Sequence, residues 1–231
     1  MRTDRTHYDT LFRTSLETVT HSGFSFDEQV LTPEDQRSGI TVILRLKAPE
    51  LLRSINSMLD AFRAIEPDQY YYPVTDLHVT VMGLIECHNG FSISKETLLR
   101  HRRYLEEALL EAPAFTLEFT GITISPSCIL VQGFPDSEIL DHIRDAIRIR
   151  YQSEDILHTI DSRYVLKTAH VTVVRIIRPV TEQKRMLDTI AEYREHSFGV
   201  EQVERLELVM NDWCLREQHT ELVSAFSLKE E

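Results

Sequence analysis

The sequence predicts a duplicated α+β fold: two lobes related by a pseudo-twofold axis, with a cleft between them. Two observations point there. The tetrapeptide His-Val-Thr-Val occurs twice, at residues 78–81 and 170–173, each time inside an apolar run of period two that reads as a strand. The order strand, helix, His-bearing strand, helix, strand also appears twice around those tetrapeptides, and the two histidines stand 92 positions apart. A duplicated unit tends to pack about a twofold axis, which brings the equivalent strands side by side or face to face.

Taken in order, residues 8–21 read as a helix packed on the outside, and residues 27–39, polar and containing Pro33, as a loop. Residues 40–46 alternate and read as a strand. Pro49 opens a helix to about residue 65, with Leu51, Leu52, Ile55, Leu59 and Phe62 at helical spacing. Residues 67–73 are a tyrosine-rich loop, and the first His strand follows at 77–84. Ser94 opens a helix to about residue 111, before Pro113, and residues 115–124 form a strand. The second round starts with a strand at 128–133 and a helix from the candidate cap Ser137 to about residue 149. A loop containing residues 153–161 leads to the second His strand at 169–176. Residues 181–194 read as a helix ending near Gly199, and residues 203–210 and 222–228 as the closing strands. Phe115, Leu117 and Phe119 have counterparts in Leu206, Leu208 and Met210. The expected organisation is an N-terminal extension over residues 1–39 packed on a single bilobal domain over 40–231, its repeats at about 40–124 and 128–228.

Composition narrows the function. A length of 231 residues suits one large or one bilobed domain, with the apolar and charged content of an ordinary soluble protein. No apolar run approaches a membrane span, and residues 1–9 lack the apolar stretch of a secretory signal, so the expectation is a cytoplasmic monomer without membrane contact. Three widely spaced cysteines read as reduced thiols. The net charge of −12 disfavours extended nucleic-acid binding, which needs a basic surface. A partner with one or a few phosphates, such as a small nucleotide or an RNA terminus, fits, because local cations offset a global field.

On each His strand the histidine shares a face with the threonine two residues on, while the valines face the core. Hydrolysis of a phosphodiester needs a base for water, an acid for the departing oxygen and donors for the phosphoryl oxygens. One neutral and one protonated imidazole supply the first two, and a threonine hydroxyl beside each supplies the third. The candidate catalytic residues are therefore His78, His170, Thr80 and Thr172. Arg175, five residues after His170, points to the opposite face of an ideal strand and reaches the site only if the strand bends or ends first; Lys167 has the same parity problem. Tyr70, Tyr71 and Tyr72 precede the first His strand and Tyr164 the second, where they rim the cleft and stack on a base or else pack under loops. Trp213 reads as structural. The remaining histidines (His88, His101, His142, His158, His196 and His219, with His7 and His21 in the weakly patterned N-terminal segment) read as solvated surface residues. Zinc is the competing reading of two histidines, but neither motif has a third ligand nearby, so no metal or other cofactor is expected. There is no Gly-x-Ser-x-Gly elbow and no Gly-rich phosphate loop.

These paired motifs resemble those of the two-histidine (2H) phosphoesterase superfamily, marked by two His-φ-Thr/Ser-φ segments (φ apolar) in a duplicated α+β fold. The resemblance runs from about Ile40 to the C-terminus, and Arg175 matches a basic residue often found after the second motif in the 2′-5′ RNA ligase-like branch. It implies a bilobal antiparallel-sheet fold with a central cleft. It implies metal-independent cleavage of a 2′,3′-cyclic phosphate or a related nucleotide or RNA-end phosphodiester. His78 and His170 would be the acid–base pair, Thr80 and Thr172 the phosphate donors, and Arg175, Tyr72, Tyr71 and Tyr164 the substrate contacts. Two alternatives stay open: a nucleotide-binding module that turns nothing over, and an RNA end-processing or ligase-like protein.

Overall fold

The computed structural model describes residues 3–26, 28–30, 32–152 and 155–230. Residues 27, 31, 153 and 154, within the loops expected at 27–39 and 153–161, lie outside the described residues. The elements are α1 (Thr3–Ser22), β1 (Ser38–Arg45), α2 (Pro49–Arg63), β2 (Tyr70–Tyr71), β3 (His78–His88), α3 (Lys95–Leu109) and β4 (Phe115–Ser125). They continue with β5 (Cys128–Pro135), α4 (Ile139–Gln152), β6 (Val171–Arg175), α5 (Gln183–Glu192), β7 (Ser197–Val203), β8 (Arg205–Asp212) and β9 (Glu221–Ser227).

The strands make one antiparallel sheet in the order β7-β4-β5-β6-β3-β1-β8-β9, with β2 pairing against β6. The sheet has to curl. β7 and β8 stand six places apart, roughly 29 Å in a flat sheet, yet only Glu204 separates them in the chain, a reach of about 7 Å. The result is a half-barrel whose two halves, β7-β4-β5-β6 and β3-β1-β8-β9, meet at a single bridge, Val79 to Val171.

Helices cross between the halves. α2 leaves β1 but packs on β7 and α5, and α4 leaves β5 but packs on β3 and α3. Pro49 starts α2, and Leu51, Ile55, Met58, Leu59 and Phe62 form its buried stripe. Ser94 caps α3 by accepting from the Thr97 N–H at 3.0 Å. Ser137 does not act as a cap in the same way: its hydroxyl donates to Asp136, and α4 begins at Ile139.

α1 packs on β4 with most of its side chains exposed; Tyr8 and Val19 are its fully buried contacts, and the Tyr8 hydroxyl donates to the Gly133 carbonyl. Four expectations need correction. The tyrosine loop contains the short strand β2. The helix expected at 181–194 stops at Glu192, and β7 (Ser197–Val203) is an additional strand ahead of the one expected at 203–210, which is β8 (Arg205–Asp212). β7 escapes a reading by apolar alternation because an inward position is filled by Glu201. That buried carboxylate accepts from the N–H groups of Lys47 and Ala48, at 2.8 and 2.9 Å, at the head of α2. Finally, His101 is not a surface residue. It is 0% exposed, and its Nδ1 bonds the Tyr151 hydroxyl at 2.9 Å.

Candidate active site

The Val79–Val171 register sets the site. Carried one residue either way along the antiparallel pair, it places His78 opposite Thr172 and Thr80 opposite His170, all four on one face. The two imidazoles then lie on a diagonal, near enough for a charge on His78 to act on His170. Paired Val79 and Val171 point the other way, into the core. The structure thus brings the two histidines and two threonines together.

Each imidazole is pinned from two residues upstream. His78 Nδ1–H donates to the Asp76 carbonyl at 2.6 Å, and His170 Nδ1 bonds Thr168 Oγ1 at 2.9 Å. Among the described residues neither Nε2 has a protein partner, so Nε2 is the atom each ring offers a ligand. His78 is 7% exposed, and His170, Thr80 and Thr172 are half-buried.

Burial pushes the His78 imidazole down to about 4; nearby Arg45 and Arg175 add to this, while the Asp76 carbonyl and carboxylate pull the other way. Burial likewise pushes His170 down to about 4, and there every neighbouring charge, on Arg144, His78, Arg175 and His7, works in the same direction. At neutral pH both rings are therefore neutral.

Arg175 joins them through a bulge. β5 pairs Leu130 with Thr172 and Cys128 with Arg175, so Val173 is an extra residue in β6. Leu130 and Cys128 share a face of β5, and their partners Thr172 and Arg175 therefore share one too. The bend supplies the condition that strand parity required. Arg175 Nε donates to the Tyr72 hydroxyl at 2.8 Å, and its Nη1 reaches Cys128 Sγ at 3.6 Å. Among the described residues it forms no ion pair. Buried Tyr72 packs edge-on to His78, its ring centroid 6.4 Å away.

The other tyrosines are not brought to the histidine pair. Tyr71 alternates to the opposite face from Tyr72, donates to the Glu66 carbonyl and lies under Arg63. Tyr164 is 66% exposed in the loop before β6. Trp213, expected to be structural, stands 5.9 Å from the Arg175 guanidinium and 4.4 Å from that of Arg37.

Two residues at the site were not anticipated. Asp76 holds His78 by its carbonyl and accepts the Glu217 N–H and the Thr75 hydroxyl on its carboxylate. Arg144 is 1% exposed on the apolar stripe of α4, beside Leu140, Ile143, Ile147 and Tyr151. A charged residue at helical spacing within an apolar stripe is a signal the sequence does carry. Asp76 has no such signature.

No protein-family model matches the sequence, and no curated protein matches it. The similarity is to solved structures. One is described only as a phosphoesterase: 12% identity over 84% of this chain and 99% of the other, with a TM-score of 0.57. The TT0787 protein of Thermus thermophilus gives 18% identity over 83% of this chain and 98% of its own, with a TM-score of 0.57. LigT of Escherichia coli, in complex with 3′-AMP, gives 14% identity over 84% and 99%, again at 0.57. The fold is that of the 2H phosphoesterases. About one-sixth of the chain falls outside the match to LigT.

Proposed function

We propose that the protein is a phosphodiester hydrolase that opens a 2′,3′-cyclic phosphate, or a related diester on a nucleotide or RNA end, by acid–base catalysis between His78 and His170. One observation carries this reading. Among the described residues Arg175, an enclosed guanidinium, has no carboxylate partner, and it stands on the same sheet face as two unprotonated imidazoles whose Nε2 atoms have no protein partner there. An oxyanion placed among them supplies the missing counter-charge and favours protonation of one ring. The structures of E. coli LigT with 3′-AMP, NADP+ and ATP agree with a nucleotide ligand for this fold.

The roles follow from the surroundings. The Asp76 carbonyl and carboxylate favour an imidazolium at His78, while burial holds both rings equally low. One ring carries the shared proton and protonates the departing oxygen, with His78 the better placed for it, while the other, neutral, takes a proton from the attacking water. Thr80, Thr172 and Arg175 donate to the phosphoryl oxygens as charge builds there. The chemistry calls for no metal ion. Tyr72 orients Arg175, and the site takes one phosphodiester, in keeping with a small nucleotide or RNA terminus.

The test is hydrolysis of 2′,3′-cyclic nucleotides with a chelator present. Turnover should persist in the chelator and fall at least 1,000-fold in His78→Ala and in His170→Ala, roughly the scale of losing a general acid or base. Thermal stabilisation by the same nucleotides without turnover would instead assign a binding module.

A further inference from the structure

Between the two histidine strands the sheet is nearly broken. β3 and β6 share one bridge, and beyond it the carbonyls of Thr80 and Val81 on one side and Thr168 on the other have no partner strand across the gap. The side chain of Arg144 fills that gap. Its Nε donates to the Val81 carbonyl at 3.1 Å, and its Nη2 donates to the Thr80 carbonyl at 3.3 Å and the Thr168 carbonyl at 2.7 Å. Nη1 faces Asp141, one turn back on the same helix, at 3.7 Å.

Each contact falls on a segment that matters to the pair. Thr80 is the phosphate donor of the first motif. Thr168 carries the hydroxyl that pins His170 Nδ1, so Arg144 holds the backbone of the residue whose side chain holds the imidazole. The crossing of α4 onto β3 makes this possible, because the helix belongs to one half of the fold and the strand behind it to the other. A planar fork with several donors spans two strands in a way that the point charge of a lysine does not.

We infer that Arg144 is a positioning residue: it spans the gap in the sheet and sets the spacing between the His78–Thr80 and His170–Thr172 motifs. It touches no reacting atom. The inference rests on the acid–base reading for its effect on turnover, but the spacing can be measured without turnover.

The experiment uses Arg144→Lys and Arg144→Met, with Asp141→Asn as a control on the exposed partner. Side-chain NMR follows the His78 and His170 resonances as inorganic phosphate is added and as pH is varied. In the wild type, phosphate should perturb both histidines together. In Arg144→Lys, expected to fold because one ammonium can still meet one or two of the carbonyls, phosphate should perturb only one of them, and kcat should fall about 100-fold, the cost of an ångström-scale misplacement. KM should change less than about threefold, as expected when ground-state binding survives. The titration of His170 should stay in place in Arg144→Lys, which keeps the charge, and move to higher pH in Arg144→Met, which removes it. Asp141→Asn should behave as wild type.

Wild-type kcat in folded Arg144→Lys, or phosphate reporting on both histidines in it as before, overturns the inference. So does a variant that loses stability while its folded fraction turns over normally, since that is a purely structural role. Should the wild type prove inactive on every diester tried, the hydrolase reading fails, while the two-histidine phosphate response still decides the role of Arg144.

Discussion

Replacing Gly133 by alanine tests how closely β5 and β6 must approach for His170 to be in place. Gly133 lies on β5 opposite Ala169, the residue before His170, and a Cβ there would overlap the Ala169 carbonyl oxygen and stand 3.0 Å from the Phe119 ring. Neither obstacle is the loose end of a flexible side chain. The strands have to separate, and the segment that moves carries His170. A displacement on the order of 1 Å at a reacting group costs about 100-fold in rate, and overpacking of this kind costs about 1–3 kcal/mol of stability. For a chain of this size that corresponds to a melting temperature lower by roughly 2–10 °C. The expected outcome for Gly133→Ala is a folded protein with kcat for 2′,3′-cyclic AMP reduced about 100-fold. Gly83→Ala is the matched control: Gly83 lies on β3, the other histidine strand, and nothing stands within 4 Å of a Cβ added there. It should retain wild-type activity and melt at or slightly above the wild-type temperature, because alanine restricts the unfolded chain. Wild-type kcat in Gly133→Ala would refute the claim that this contact places His170. Equal losses in both variants would refute the claim that the position of the glycine matters.

Acid should destabilise the fold over a defined window. His78, His101 and His170 are each held near 4 by burial against an ordinary 6.5, so the unfolded chain binds more protons than the folded one between those limits. Their contribution is complete above about pH 6.5 and drains away as pH falls toward 4; urea midpoints at pH 7.5, 5.5 and 4.5 should decrease in that order, and a midpoint independent of pH would contradict the burial of these rings. The pH dependence of turnover has the matching sign. In the free enzyme the singly protonated pair is scarce at pH 7, so kcat/KM should rise as pH falls from 8 toward 5, whereas kcat should hold to higher pH because bound phosphate stabilises the imidazolium; a flat profile from pH 5 to 9 would argue against acid–base catalysis by this pair.

The strands and helices around the two His-Val-Thr-Val segments were legible because their inward positions are apolar and follow periods of 2 and 3.6. Legibility ended where polar groups occupy inward positions. Glu201 interrupts the apolar pattern of β7, since its carboxylate serves the head of α2, and His101 looks like one more charged-face residue of α3 until Tyr151, from a helix 50 residues on, is placed against it. Of the candidate site, the four histidine and threonine side chains could be grouped from repetition alone. Arg175 could not be placed, because a single extra residue in β6 reverses strand parity and leaves no mark in the sequence. Tyr71 and Tyr72 show the same limit: adjacency put both at the rim, but Tyr71 turns to the Glu66 carbonyl and Tyr72 to Arg175.

In the proposed reaction, the partners of Arg175 let an acidic protein hold a phosphate. A buried cation is ordinarily matched by a carboxylate, because an unpaired one costs several kcal/mol. Here Arg175 donates to a phenol and a thiol. These acceptors satisfy the N–H groups without cancelling the charge. Arg45, by contrast, is paired with Glu207 and donates to the Thr75 carbonyl beside Asp76, which ties its charge to the loop ahead of His78. Had Glu207 stood at Arg175 instead, the carboxylate would compete with every phosphate that entered, and it would also raise both imidazoles toward permanent protonation. In the proposed reaction, neutral acceptors leave Arg175 its charge and the two rings unprotonated until an anion binds. The net charge of −12 agrees with a substrate that carries a single diester rather than a long phosphate backbone.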